Sequence, residues 1–249
     1  MPKITVVLPT YNERDNLPRI VSAVLAQPLA GLNLLIVDDN SPDGSGDVAE
    51  ELARAHPGRV EVLHRPEKQG LGPAYVQGFQ HALRRGADCI AQMDADFSHP
   101  PQTLVQMADL LAHYDVVLGS RYVSGGALDT DWPFWRKALS RFGNAYARAI
   151  LGMKARDVTG GYRMWRAETL AAIPWERVRS NGYAFQIEML YIAARLGFRI
   201  AEIPIYFAER QAGRSKMSLR IQIEAALRVW QIRFAYRDLE ALEPDPLRV

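Results

Sequence analysis

The chain has a single cysteine, Cys89, which excludes an internal disulfide and any cysteine-rich zinc site. No apolar run approaches the ~18 residues needed to cross a bilayer. Met1 to Leu8 runs straight into a strand-like segment without the layout of a signal peptide, so the expected compartment is the cytosol. Charge of one sign is not in excess: Lys plus Arg number 30 and Asp plus Glu 28, a net of +2. That balance argues against nucleic acid as a partner. There is no Gly-x-Gly-x-x-Gly after the first strand, no Gly-x-x-x-x-Gly-Lys-Ser/Thr, no His-Glu-x-x-His and no Gly-x-Ser-x-Gly. Dinucleotide binding, P-loop chemistry, zinc proteolysis and serine-elbow hydrolysis thus lack their signatures. Internal repeats, low-complexity tracts and Ser/Gly linkers are also missing.

What is present is a globular balance, 48% apolar and 23% charged over 249 residues, fitting one compact body with an elaborated C-terminal part. The charge is unevenly spread. Residues 1–120 carry a net of −6 and residues 121–249 a net of +8. Such a split is either ordinary surface variation, or an acidic half that holds a cation beside a basic half that meets phosphates or an anionic surface.

Strand and helix patterns alternate through the first half. Lys3–Leu8 is a β-branched run expected to stop at Pro9, and Asn12 is placed to cap a helix over about 13–26, with Leu17, Ile20, Val21, Val24 and Leu25 at helical spacing. Leu32–Val37 is a continuous apolar strand of the kind buried in a parallel sheet, followed by the turn cluster Asp38–Gly44 and a helix over 46–55. Strands at 60–63, 89–93 and 115–118 alternate with helices at about 74–85 and 100–113. This succession predicts βαβ units, an α/β fold with a mostly parallel, Rossmann-like sheet flanked by helices. The second half is less regular: amphipathic helices at 134–151 and 218–239, a helix at 184–196, and strands at 161–165 and 199–204.

In open α/β sheets, ligands lie beyond the carboxyl ends of the strands. The polar clusters fall at those ends: Pro9-Thr-Tyr-Asn-Glu13, Asp38-Asp-Asn-Ser41, Asp94-Ala-Asp96 and Ser120-Arg121. Acidic clusters converging on one edge repel one another unless a cation or a donor-rich ligand sits among them. On an extended backbone Asp94 and Asp96 would point the same way, and their oxygens suit Mg2+ or Mn2+ sharing its coordination with a diphosphate. The alternative is that Asp96 caps a turn and Asp94 satisfies backbone amides; the two further acidic clusters favour the cation. Cys89 reads as a small core residue and His99 as a loop or cap residue close to Asp96.

Four blocks in order, Pro9-Thr-Tyr-Asn-Glu13, Asp38-Asp-Asn-Ser41, Asp94-Ala-Asp96 and Gly160-Gly-Tyr-Arg163, resemble glycosyltransferase family 2. Closer still, Asp38-Asp-Asn-Ser-Pro-Asp-Gly44, Met93-Asp-Ala-Asp-Phe-Ser-His-Pro100 and Asp157-Val-Thr-Gly-Gly-Tyr-Arg163 resemble the dolichyl-phosphate (polyprenyl-phosphate) mannose synthases. Ser180–Glu188 and Arg210-Gln-Ala-Gly-Arg-Ser-Lys216 extend that match, which covers roughly residues 3–235. The resemblance implies a GT-A fold, a GDP-mannose donor, a polyprenyl-phosphate acceptor and inversion at the anomeric carbon. It implies one domain over 1–239, with a nucleotide-binding half at 1–122 and an acceptor- and membrane-facing half at 123–239, and then a tail at 240–249. By similarity, Pro9, Tyr11, Glu13, Val37 and Asp39 line the nucleoside pocket. Asp94, Ala95 and Asp96 hold the metal and diphosphate with Ser98 as a metal neighbour, and Arg121, Arg210 and Lys216 meet phosphates.

Physical reasons run alongside. Tyr11 offers a flat face to a base, and Asp39 accepts from ring N–H or ribose hydroxyls. A phosphomonoester acceptor is already largely ionised near neutral pH, its second pKa being about 6, so it needs no carboxylate to deprotonate it. The chain has no Glu-Asp dipeptide and no Gln-x-x-Arg-Trp motif, which favours a phosphate over a hydroxyl acceptor. The other readings are a sibling using UDP-glucose or another nucleotide sugar, a transferase to hydroxyls, and a nucleotide-sugar-binding module without turnover.

A lipid acceptor calls for a membrane surface. Trp135, Leu139, Phe142, Tyr146 and Ile150 form one stripe among Arg136, Lys137, Arg141 and Arg148, after the aromatic cluster Trp132–Trp135, which is expected to be exposed. Leu219, Ile223, Leu227, Trp230 and Phe234 form another. The expectation is membrane contact for the first helix, and core or partner packing for the second, with the chain peripheral on the cytoplasmic face and a membrane-protein partner possible.

Overall fold

The computed structural model describes residues 2–208 and 219–242. A seven-stranded sheet runs in the order β3-β2-β1-β4-β7-β5-β8. Its strands are β1 (Ile4–Thr10), β2 (Leu32–Asp38), β3 (Val60–His64), β4 (Cys89–Gln92), β5 (Val116–Ser120), β7 (Arg163–Arg166) and β8 (Ile200–Pro204). A short parallel pair, β6 (Ala127–Leu128) and β9 (Tyr206–Phe207), lies apart. All sheet neighbours are parallel except β7, which pairs antiparallel with both β4 and β5.

Alternation along the strands sorts side chains to two faces. Ile4, Val6 and Leu8 of β1 join Leu34, Ile36, Ala91, Val117 and Met164 in one core, with α1 (Leu17–Leu25), α2 (Ser45–Ala55) and α4 (Thr103–Leu110) packed on that side. Val7, Leu35, Val37, Ile90, Leu118 and Trp165 face the other way. They meet α3 (Leu71–Arg84), α6 (Ala167–Ala171), α7 (Gly182–Arg195) and parts of α5 (Phe134–Leu151) and α8 (Leu219–Ala235). Gly78 lets α3 lie close on the sheet, since a Cβ there would come within 2.5 Å of the Val7 side chain.

The helix after β1 covers one face and the helix before β4 the other, so the strand order reverses between β1 and β4. That reversal opens a crevice at their carboxyl ends. The expected α/β fold is present, and three local expectations need correction. β1 continues through Pro9 to Thr10, because the missing N–H of Pro9 faces β4, whose pairing with β1 has ended at Val7↔Gln92. Asn12 does not cap α1: it stands at φ 61°, and the helix begins at Leu17 after Asn16. β4 ends at Gln92, so Asp94 and Asp96 lie in a turn and strand alternation does not align them.

Candidate active site

Pro9 and Val37 are register partners, as are Thr10 and Asp38, and the Asp39 N–H donates to the Thr10 carbonyl at 3.0 Å. Side chains sew the loops beyond β1 and β2 together. The Asn12 N–H donates to Ser41 Oγ at 3.1 Å and the Glu13 N–H to Ser45 Oγ at 2.9 Å. Ser45 Oγ donates to Asp43 at 2.6 Å, and Asp43 also accepts from the Arg14 N–H. Burial works to raise the Asp43 carboxyl, but these hydrogen bonds, that of Ser45 first, hold it below the ordinary range. The Glu13 carboxylate takes the Asn16 amide at 2.7 Å. The structure therefore brings Pro9, Tyr11, Glu13, Val37 and Asp39 to one edge.

Asp39 is buried and ion-paired with Arg65, whose other terminal nitrogen donates to Gln69 Oε1 at 3.1 Å. The Lys68 ammonium stands 3.4 Å from the centre of the Tyr11 ring. Neither Arg65, Gln69 nor Lys68 carried a motif that marked it in the sequence.

The Asp94–Asp96 turn is held from several sides. Tyr75 donates its hydroxyl to Asp94 Oδ1 at 3.1 Å. Burial and then the Asp94 charge push the phenol well above its ordinary pKa, so it remains a donor. The Asp94 N–H donates to His99 Nδ1 at 3.0 Å, and His99 stacks on Tyr162 with ring centres 4.8 Å apart. Asp96 Oδ1 accepts from both the N–H of Ser98 at 3.0 Å and its hydroxyl at 2.6 Å, while Phe97 takes φ 63°. Ala95, Asp96 and Ser98 are buried.

The three acidic clusters thus have local donors of their own. Among the described residues no group of three or more His, Cys, Asp or Glu side chains forms a ready-made metal cage. Asp94, Asp96 and Ser98 nonetheless supply hard oxygen atoms, the chemistry suited to Mg2+ or Mn2+ completed by water and diphosphate oxygens.

Arg121, just beyond β5, is 8% exposed. Its Nε and Nη2 donate to the two oxygens of Asp157 at 2.7 Å each, and Nη2 also donates to Thr159 at 2.8 Å. Burial would raise the Asp157 carboxyl, but the Arg121 charge beside it holds it below the ordinary carboxylate range. Arg121 also lies 5.4 Å from the Phe207 ring, and Phe207 meets His99 edge-on at 5.7 Å, which links this cation to the acidic turn. Arg163 of the Gly160-Gly-Tyr-Arg163 block is fully buried and donates to the carbonyls of Val158, Gly160 and Gln186. Arg163 thereby braces the segment that carries Asp157 and Thr159. Arg210 and Lys216 lie outside the described residues.

On the outer helices, Phe134, Trp135 and Phe142 of α5 are exposed. Trp132 is instead buried against Phe207 and Arg136, which corrects the expectation of an exposed cluster over 132–135. In α8, Val229 and Ile232 face the core, as does Tyr236 just after it, and Leu227, Trp230 and Phe234 face outward. Core packing of that second stripe is therefore corrected for these three residues; the side chains of Leu219 and Ile223 are not described. No helix among the described residues is long and apolar enough to cross a membrane.

The sequence pattern of Glycosyl transferase family 2 matches residues 5–173. The chain is 47% identical over 231 residues to polyprenol monophosphomannose synthase of Mycolicibacterium smegmatis, covering 92% of this chain and 86% of that protein. It is 44% identical over 241 residues to undecaprenyl-phosphate mannosyltransferase of Micrococcus luteus, covering 96% and 98%. Glucosyl-3-phosphoglycerate synthase from Mycobacterium tuberculosis in complex with uridine diphosphate superposes with a TM-score of 0.66 at 18% identity, over 94% of this chain and 80% of that one. A mannosyltransferase from Pyrobaculum calidifontis in complex with GDP-Man and Mn2+ superposes with a TM-score of 0.63 at 21% identity, over 97% and 66%. These two structures share the GT-A-like fold.

Proposed function

The chain belongs to glycosyltransferase family 2, and from that premise we propose that it transfers mannose from GDP-mannose to the phosphate of a polyprenyl phosphate, inverting the anomeric carbon. Polyprenyl-phosphate mannose transfer is supported by the names and extent of the two curated relatives. The observation that carries the chemistry is the braced Asp94–Asp96 turn at the strand-order reversal, beside the loop that bears Asp39. One domain over 1–239 performs the reaction, with donor contacts drawn from 1–122 and acceptor and membrane contacts from 123–239.

In this reading Tyr11 and Asp39 receive the base and ribose, with Pro9, Glu13 and Val37 shaping the pocket. Asp94, Asp96 and Ser98 would hold a divalent cation, which when bound would supply charge neutralisation for the departing diphosphate. Tyr75 and Ser98 fix the carboxylates in place, so little reorganisation is needed when donor arrives. An oxygen of the acceptor phosphate attacks the anomeric carbon as the bond to the diphosphate breaks, and the bonding pair leaves with GDP. No proton need be removed, since the acceptor is already an anion. Asp157 and Thr159 preset Arg121, whose Nη1 makes no hydrogen bond to described residues and is left for the incoming phosphate. Arg210 and Lys216 add phosphate contacts from the basic loop.

Peripheral attachment to the cytoplasmic face brings the lipid within reach. The exposed Phe134, Trp135 and Phe142 of α5, with Trp230 and Phe234 of α8, supply apolar anchors. Nearby Arg and Lys add about 1 kcal/mol each against anionic lipid. Turnover of radiolabelled GDP-mannose and of UDP-glucose with a short polyprenyl phosphate tests the proposal. Mannosyl lipid should form from GDP-mannose and disappear in excess chelator. Transfer from UDP-glucose alone would overturn the mannose assignment while leaving the chemistry standing.

A further inference from the structure

The Ser180–Glu188 block has no role in the mechanism above, yet it reaches the donor pocket. Asn181, directly before α7, uses one carboxamide oxygen for two helix starts. It accepts from Gly182 N–H of α7 at 2.8 Å and from Gly72 N–H in the first turn of α3 at 2.9 Å. Backbone N–H groups in a first turn have no partner within their own helix, so this oxygen satisfies one in each. The amide of Asn181 donates to the Gln69 carbonyl at 2.8 Å. The close approach depends on glycine: a Cβ at Gly70 would collide with the Asn181 side chain, and one at Gly72 would lie 2.6 Å from the Ser180 carbonyl oxygen.

Gln69 is the residue whose side chain takes Arg65, the partner of Asp39. The Asn181 contact therefore bears on the proposed base-reading carboxylate through Gln69 and Arg65. Behind it, the buried Glu188 accepts from the Ser180 N–H at 2.8 Å and from Tyr236 Oη at 2.9 Å, which secures residues 179–181 against the end of α8.

We propose that Asn181 is a positioning residue for the donor: it holds the Gln69–Gly72 segment so that Arg65 keeps Asp39 oriented toward the base. The proposal rests on the reading of Asp39 as a nucleoside contact. It concerns donor affinity, not the chemical step.

The test compares the full chain with Asn181→Ala and Asn181→Asp, measuring GDP and UDP binding by calorimetry, KM for donor and acceptor, kcat, and amide exchange over 69–75. Asn181→Ala should weaken GDP binding about tenfold, the scale of one or two lost hydrogen bonds. The donor KM should rise in parallel, with kcat and acceptor KM little changed and exchange faster at Gly72. Asn181→Asp keeps the acceptor oxygen for Gly72 and Gly182 but cannot donate to Gln69, so it should recover part of the loss. It also carries the test alone if the Ala variant does not fold. GDP binding equal to wild type in the variants would overturn the role of Asn181, as would a loss spread equally over donor KM, acceptor KM and kcat. Failure of the unaltered chain to bind either nucleotide would overturn the donor reading itself.

Discussion

The acidic edge beyond the strands and the outer helices of this molecule spend their side chains in opposite ways. Beyond β1, β2 and β4, nearly every named carboxylate has a local donor: Ser45 for Asp43, Arg65 for Asp39, Tyr75 for Asp94 and Ser98 for Asp96. On α5 and α8, large aromatic side chains that would ordinarily lie in a core stand in solvent, with Phe134 83% and Phe142 68% exposed. In the first region the polar groups are paired before any ligand arrives. The second leaves apolar surface open to solvent, the kind of patch that marks an interaction surface. One edge holds its charges in register, and the other presents bare aromatic surface.

The sharpest way to break this contrast is at the acidic turn. Asp96→Ala should lower kcat by about a thousandfold, the order seen when a preorganised electrostatic contact is lost. The melting temperature should fall by only about 2–8 °C as the Ser98 N–H and hydroxyl lose their acceptor. Unchanged turnover would remove the cation from the mechanism.

Asp157 comes next. Asp157→Asn leaves the buried Arg121 uncompensated and should cost about 3–5 kcal/mol in urea unfolding, as for other broken buried pairs. The pH dependence has a definite sign. The folded-state pKa of Asp157 lies below its unfolded value, so its stabilisation is complete above the ordinary Asp range and fades as pH falls through the lowered value. The wild-type and Asp157→Asn unfolding free energies should therefore converge in acid, and a gap independent of pH would refute the pairing as its cause.

The smallest effect on chemistry belongs to the outer helices. Trp135→Ala combined with Phe142→Ala should weaken flotation with anionic vesicles by at least tenfold, since burying one such side chain is worth about 1.5–3 kcal/mol. Turnover with a short, water-soluble acceptor should be unaltered. Equal flotation of variant and wild type would remove α5 from the proposed membrane contact.

Much of the acidic edge was legible because local sequence encodes it: β-branched runs that end in Asp-rich turns place those turns at the strand ends. The arrangement of the second half was not. That β7 inserts between β4 and β5, running against both, depends on long-range pairing that no local pattern carries. Tyr75 looked like one more helix residue, and only the approach of α3 to the Asp94 turn reveals its hydroxyl as a partner. Asp157 belonged to a recognised block, but its hold on Arg121 spans 36 residues. In α8 the periodicity was legible and its direction was not, because apolar residues occupy both faces: Val229 and Ile232 inward, Trp230 and Phe234 outward.

The reversed course of β7 has a consequence for how such a site diversifies. Because the strand starts where its neighbours finish, the segment leading into it, residues 152–162, arrives at the crevice from upstream. An insertion or deletion there would change the reach of Asp157 and Thr159 toward Arg121 without shifting the pairing of β1, β2 or β4. The loop that enters β7 can thus change length while the strands that carry the Asp39 and Asp94 turns keep their frame.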